Sequence, residues 1–188
     1  ISIKAYQTNF NLCIENELYN ISTKLLGDHN VTNILLATAL AKHLGVDTKD
    51  ILTSITQLEF TPHRLELIKT NINIFDDSYN CSLLSAEKSI AVLQNLPNKK
   101  MVVTPGIIEA GKDEYNVNFI LGGMCCIFDF VVIIGEHNKD ALSAGLKNKN
   151  YTKKIYFARS LDDAKQYFSL LNTNDNLLIL NDLPDDYN

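Results

Sequence analysis

Tryptophan is absent from the 188 residues, and lysine and arginine never gather into a concentrated run. The missing tryptophan, beside abundant asparagine and lysine, reads as compositional bias of the genome and carries no chemistry. The missing basic cluster excludes more. Nucleic acids and anionic membranes both need a concentrated positive footprint. With a net charge of -5 and a pI near 5.3, neither is expected as a partner. No apolar run approaches the length of a membrane span, and the N-terminus has no charged region followed by an apolar core. Neither an anchor nor a signal peptide is therefore expected.

The four cysteines, Cys13, Cys81 and the adjacent Cys125-Cys126, show no C-x-x-C spacing and no grouping with the four histidines. A structural zinc site needs ligands at such repeat spacings. The cysteines are instead expected to be small buried residues of a protein in a reducing compartment, the cytoplasm. Two nucleotide fingerprints are missing as well: no G-x-G-x-x-G follows the first strand of the α/β region, and no G-x-x-x-x-G-K-[ST] occurs anywhere. The chain has no phosphate-cradling loop of its own.

What is present, 46% hydrophobic and 21% charged residues, is the profile of an ordinary soluble globular protein of one or two domains. Short alternating segments at 1–6, 10–14 and 18–26, separated by Asn and Glu-Asn turn signals, predict a β-meander. A ribbon of that size lacks a covering layer, so the chain reads as entering a larger fold part-way. Residues 31–44 place Val31, Ile34, Leu35, Leu40 and Leu44 at helical spacing, with Asn30 or Asp28 as N-cap and Gly45 as the stop. A second helix over 47–58 buries Ile51, Leu52, Ile55 and Leu58. Pro62 closes this section, and a domain boundary is placed between 1–62 and 63–188.

Beyond it lies a strand-like 64–69. Strands at 72–75, 101–104, 130–134, 155–157 and 177–180 then alternate with helices at 83–94, 113–126, 139–146 and 161–170, before a polar tail at 181–188. Runs such as Val131-Val132-Ile133-Ile134 suit strands covered on both faces. The predicted class is α/β, a doubly wound, mostly parallel sheet of Rossmann type.

Ligands of such sheets bind at the carboxyl ends of the strands. At the first of these, Ile72-Asn73-Ile74-Phe75 runs into Asp76-Asp77-Ser78-Tyr79-Asn80 and then a helix pattern. Asp76 or Asp77 can accept both hydroxyls of a ribose or can cap the helix that follows. Arg64, after Pro62, offers a fork that suits a phosphate, or a surface ion pair. In Gly27-Asp28-His29-Asn30-Val31-Thr32-Asn33, two side-chain amides sit at a helix start. They match the edge of an adenine, or Asn30 caps and Asn33 is solvated. Pro105-Gly106-Ile107-Ile108-Glu109-Ala110-Gly111 follows the next strand, and its glycines free the backbone to bend toward a ligand or through a plain loop. Cys81 has no histidine placed to activate it and is read as buried rather than nucleophilic.

Taken together, Gly27-x-His29-Asn30-x-x-Asn33 before an Ala/Leu-rich helix, Arg64 after a proline, and Asp77-Ser78-Tyr79-Asn80 after a strand resemble the Mur ligases, in particular the MurF type. Val103-Thr104-Pro105-Gly106 through Gly111, Gly135-Glu136 and the ending Asn181-Asp182-Leu183-Pro184-Asp185-Asp186-Tyr187 extend the likeness over essentially the whole chain. The resemblance implies the end of a central ATP-binding domain at 1–62 and a Rossmann-like C-terminal domain at 63–188. It implies ATP and Mg²⁺ as cofactors and an acyl phosphate that an amine attacks, joining D-alanyl-D-alanine to a UDP-muramoyl tripeptide in peptidoglycan synthesis. It puts Asn30 and Asn33 near the adenine, Arg64 near the phosphates, Asp77 at the ribose, and Tyr79 and Asn80 beside them.

The phosphate loop and the Mg²⁺-holding carbamylated lysine of the family would precede Ile1. The 188 residues alone are accordingly expected to be inactive, with no catalytic residue and no metal ligand assigned among them. Where the family usually continues Tyr-Asn-Ala-Asn-Pro, this chain has Tyr79-Asn80-Cys81-Ser82-Leu83. Two other readings stand beside the ligase: an inactive Mur-ligase-like binding module, and an amide ligase with another amine. Self-association through the exposed meander is also expected.

Overall fold

In the first segment the apolar alternation becomes one buried face: Phe10, Leu12 and Ile14 of strand β2 (Gln7–Ile14) point inward. The strand pairs antiparallel with β1 (Ser2–Lys4) and β3 (Glu17–Thr23), giving a sheet in the order β1-β2-β3. Glu15 and Asn16 between β2 and β3 have φ of 50° and 69°, as a tight two-residue hairpin turn requires. The computed structural model describes residues 1–4, 6–108 and 110–181. Glu109 of the Pro-Gly loop and the polar tail from Asp182 lie outside the described residues.

The sheet is covered by α1 (Asp28–His43) and α2 (Thr48–Thr56), whose Val31, Ile34, Ile51 and Ile55 cluster with Phe10, Leu12, Ile14 and Ile21. Three expectations are corrected here. The N-cap of α1 is Gly27, at φ 95°, so the helix starts at Asp28 and Asn30 already lies in its first turn. Its buried face is Val31, Ile34 and Thr38, while Leu35, Leu40 and Leu44 are 45%, 59% and 71% exposed. Leu40, two residues past Thr38, is roughly 200° further round a helix of 3.6 residues per turn. Cys13 is exposed, because the alternation of β2 turns it away from the helices.

The chain divides into two compact units, Ile1–Phe60 and Thr61–Asn188. The second is an α/β unit. Strands β4 (Glu66–Lys69), β5 (Asn73–Asp77), β6 (Lys100–Thr104), β7 (Phe130–Ile134), β8 (Ile155–Ala158) and β9 (Asn176–Leu180) form one sheet in the order β4-β5-β9-β6-β7-β8. All neighbours are parallel except β4, which runs antiparallel along the edge of β5. The helices are α3 (Leu83–Gln94), α4 (Glu114–Met124), α5 (Lys139–Asn148) and the short α6 (Leu161–Ala164), which tightens into a 3-10 turn over Lys165–Leu170 where one continuous helix was predicted.

Continuous apolar strands follow from cover on both faces. Met101, Val103, Val132 and Leu177 cluster with Ala164 and Leu171 on one side. The residues that alternate with them, Val102, Val131, Ile133 and Leu178, are at most 1% exposed, with α3 packing against β9 and α5 against β7. Helices α4 and α5 approach through glycine. A Cβ on Gly145 would sit 1.9 Å from the Phe119 carbonyl oxygen, and one on Gly122 would sit 2.2 Å from that of Leu142. The last strand, β9, lies between β5 and β6, so the carboxyl ends of these three strands stand side by side.

Candidate functional site

Strand β5 delivers Asp76 and Asp77 to that carboxyl edge, and the chain turns through Ser78-Tyr79-Asn80-Cys81 into α3. Ser82 caps the helix, its Oγ accepting the Ser85 N–H at 3.2 Å. Neither aspartate caps it; both brace the bend instead. Asp77, 6% exposed, accepts the Leu65 N–H on Oδ1 at 3.1 Å and the Ser89 hydroxyl on Oδ2. Asp76 accepts the Ser78 N–H on Oδ1 at 3.1 Å, and its Oδ2 meets His63 Nδ1 at 2.8 Å. Ser78 Oγ lies 3.3 Å from the same ring nitrogen.

The facing wall is the bend just before β4. The Arg64 N–H donates to Thr61 O at 3.1 Å, and His63 O accepts the Tyr79 N–H at 3.3 Å. His63 and Leu65, on either side of Arg64, have φ of 60° and 52°. That left-handed backbone costs a residue with a Cβ about 1–2 kcal/mol and persists where the surroundings fix it. At Leu65 they do: the side chain is 2% exposed and the N–H is held by Asp77. From this bend the Arg64 guanidinium lies over the Tyr79 ring, 4.0 Å from its centroid, and donates from Nη1 to Asn80 Oδ1 at 3.0 Å. The bond to Asn80 uses one of five N–H donors, and a planar fork on an exposed edge is suited to an oxyanion.

The structure thus gathers Arg64, Asp77, Tyr79 and Asn80 into one cluster. It turns Asp76, a candidate for the ribose or the helix cap, toward His63, and it adds two residues that the sequence did not single out, His63 and Ser89. No local pattern marks them, since His63 meets Asp76 only through the pairing of β4 with β5. In the first unit, Asn30 Nδ2 donates to Leu26 O at 2.8 Å and lies 3.2 Å from His29 Nε2. Asn33 is exposed on the same helix. Both asparagines line an apolar cavity of about 410 Å³ with Leu25, Ile34, Ile51 and Leu58.

The loop after β6 is held by three asparagines. Asn118 accepts the Ile107 N–H at 2.7 Å and donates to Ile107 O at 2.8 Å. Asn138 Nδ2 donates to Pro105 O at 3.2 Å and Asn181 Nδ2 to Gly106 O at 2.7 Å. Gly106 has φ 85°, and a Cβ there would lie 2.4 Å from Asn118 Oδ1. That φ uses the backbone freedom of glycine that the sequence suggested, and the missing side chain also makes room for the amides of Asn118 and Asn138. At the elbow, burial and the Asp77 charge push the Cys81 thiol up to about 12. The thiol stays protonated at neutral pH and is no nucleophile. Among the described residues no group of three or more His, Cys, Asp or Glu side chains is arranged to hold a metal ion, and no helix is long and apolar enough to cross a membrane.

In an alignment 158 positions long that covers 74% of this chain, the sequence is 30% identical to the UDP-N-acetylmuramoyl-tripeptide--D-alanyl-D-alanine ligase of Buchnera aphidicola subsp. Baizongia pistaciae. The chain belongs to the Mur ligase family. Its architecture is that of solved Mur ligases: a MurF structure from Acinetobacter baumannii matches 96% of the chain and 41% of its own length at a TM-score of 0.81 and 22% identity. The MurF ligase of Thermotoga maritima in complex with ADP matches 95% of the chain and 41% of its own at 0.78 and 21% identity. The match spans about a third of the Buchnera ligase, 34% of its length. No family model matches the chain.

Proposed function

We propose that this chain is the C-terminal part of an ATP-dependent amide ligase that joins D-alanyl-D-alanine to a UDP-muramoyl tripeptide, with ADP and phosphate as by-products. The observation that carries the reading is the similarity to a UDP-N-acetylmuramoyl-tripeptide--D-alanyl-D-alanine ligase over 74% of this chain. The ADP complex of the Thermotoga relative supports a nucleotide ligand, and the exposed Arg64 fork over Tyr79 is a group suited to its phosphates. Residues 1–62 would close a central ATP-binding domain, and 63–188 would form the domain that brings in the dipeptide.

Within that reading Asn30 and Asn33 lie near the adenine, at the rim of an apolar cavity that suits a flat ring. Asp77 lies at the ribose. Its carboxylate has about four acceptor positions, and the bonds from Leu65 and Ser89 hold it in place. Tyr79 and Asn80 flank the phosphate-binding arginine. Among the described residues no group of three or more His, Cys, Asp or Glu side chains could hold a metal ion by itself; Mg²⁺ would enter with the nucleotide phosphates. The cytoplasm, where nucleotide-linked precursors are made, is the compartment that four free cysteines suit.

The test is ADP release by the intact ligase, measured with both the UDP-muramoyl tripeptide and D-alanyl-D-alanine and with either one omitted. Release that requires both, and an amide product, is the expected result. Release with another amine and none with the dipeptide would overturn the substrate assignment.

A further inference from the structure

The two residues flanking Arg64 are both left-handed and both tied to the β5 elbow. Leu65 is buried, and packing accounts for its conformation. His63 is different. Its side chain is 57% exposed, so an ion pair with Asp76 contributes little to stability. It nevertheless keeps a conformation that residues with a Cβ avoid. Such an outlier, held by specific partners beside a functional side chain, points to a positioning role. The partners act on both ends of the residue: the ring meets Asp76 Oδ2 and Ser78 Oγ, while the carbonyl accepts from Tyr79 N. Tyr79 is also the ring on which the guanidinium rests. One histidine therefore links the backbone that launches Arg64 to the aromatic surface that receives it.

We propose that His63 and Asp76 form a positioning pair that presets Arg64 for its phosphate. His63 does not touch the nucleotide; it fixes the bend from which Arg64 projects, so that the guanidinium is ordered before ligand arrives and less freedom is lost on binding. The inference rests on the reading of Arg64 as a phosphate ligand. It adds the residues that aim the arginine.

Two measurements separate the parts. In the intact ligase, His63→Ala is expected to raise the KM for ATP roughly tenfold or more, the scale of a bond to a charged group. The KM values for tripeptide and dipeptide should stay unchanged, and the substitution should add nothing to the effect of Arg64→Ala. His63→Asn is expected to remain near wild type, because asparagine keeps a donor for Asp76 and tolerates a left-handed φ. In the 188-residue chain, Arg64 and Arg159 are the two arginines, so the side-chain Nε–H region of a ¹H–¹⁵N spectrum is readily assigned. The Arg64 signal, displaced by the Tyr79 ring, is expected to move to the position of a free arginine in His63→Ala and to stay in His63→Asn.

Effects of His63→Ala and Arg64→Ala that multiply, or an Arg64 signal that does not move in His63→Ala, overturn the positioning role and leave Arg64 as a phosphate ligand. An Arg64→Ala variant with unchanged KM for ATP overturns the phosphate reading and this inference with it.

Discussion

At the scale of single residues, Asp77 decides the shape of the elbow before any ligand is considered. Its two oxygens hold the N–H of buried Leu65 and the hydroxyl of Ser89, which is 2% exposed. Asp77→Ala leaves the buried Leu65 N–H unsatisfied, while the Ser89 hydroxyl keeps the Ser85 carbonyl at 3.2 Å, a loss of about 1–3 kcal/mol. For a chain of this size that lowers the melting temperature by about 2–4 °C per kcal/mol. Calorimetry on the variant should show this drop without nucleotide present, and an unchanged melting temperature would mean that water replaces the carboxylate. Asp77, Tyr79 and Asn80 fall together because a strand, a polar elbow and a helix start follow one another in sequence, and Arg64, marked in the sequence only by Pro62, meets Asn80 from the bend before β4. His63 and Ser89 could not be picked out in that way. One reaches the elbow across the β4–β5 pairing and the other from two turns into α3, and each looks locally like an ordinary surface or helix residue. The aspartates invited a capping role that Ser82 fills, since five residues, 78–82, lie between the end of the strand and the start of the helix.

At the scale of elements, the contact between α4 and α5 is set by what Gly122 and Gly145 lack. With backbone of the partner helix within 2.2 Å of either missing Cβ, no side-chain rotation can make room. Gly145→Ala is expected to force the helices apart at a cost of about 1–3 kcal/mol or more, despite the gain in helix propensity that alanine brings. Urea unfolding should place its midpoint below that of the wild type, and a higher midpoint would contradict the close approach. Strand and helix positions in this unit were readable because each run matched one period: α3 and β7 occupy the predicted residues 83–94 and 130–134. Less readable was the inward face of α1. Leucines at 35, 36, 40 and 44 give a helical stripe as regular as the one formed by Val31, Ile34 and Thr38, and periodicity alone cannot say which stripe meets the sheet.

At the scale of the whole molecule, that second stripe has a consequence for behaviour in solution. Leu36, Leu40 and Leu44, 67%, 59% and 71% exposed, follow one another at four-residue spacing along α1. An apolar row of this kind on an isolated chain favours association. Sedimentation of the 21.1 kDa chain at rising concentration should reveal larger species, and Leu40→Glu should return it to monomer; a monomer at all concentrations would refute this. The α/β class was visible in the sequence, but the order of its strands was not, because no local signal says that the final strand inserts between the first parallel strand and the second. That insertion bears on synthesis. Asn73 of β5 bonds to Asn176 of β9 across 103 residues. While the ribosome is still making the segment between them, β5 and β6 have no neighbour on their facing edges, and bare strand edges recruit foreign strands. Assembly of the sheet must await β9, so the growing polypeptide carries an open seam for as long as the segment between β5 and β9 is being made.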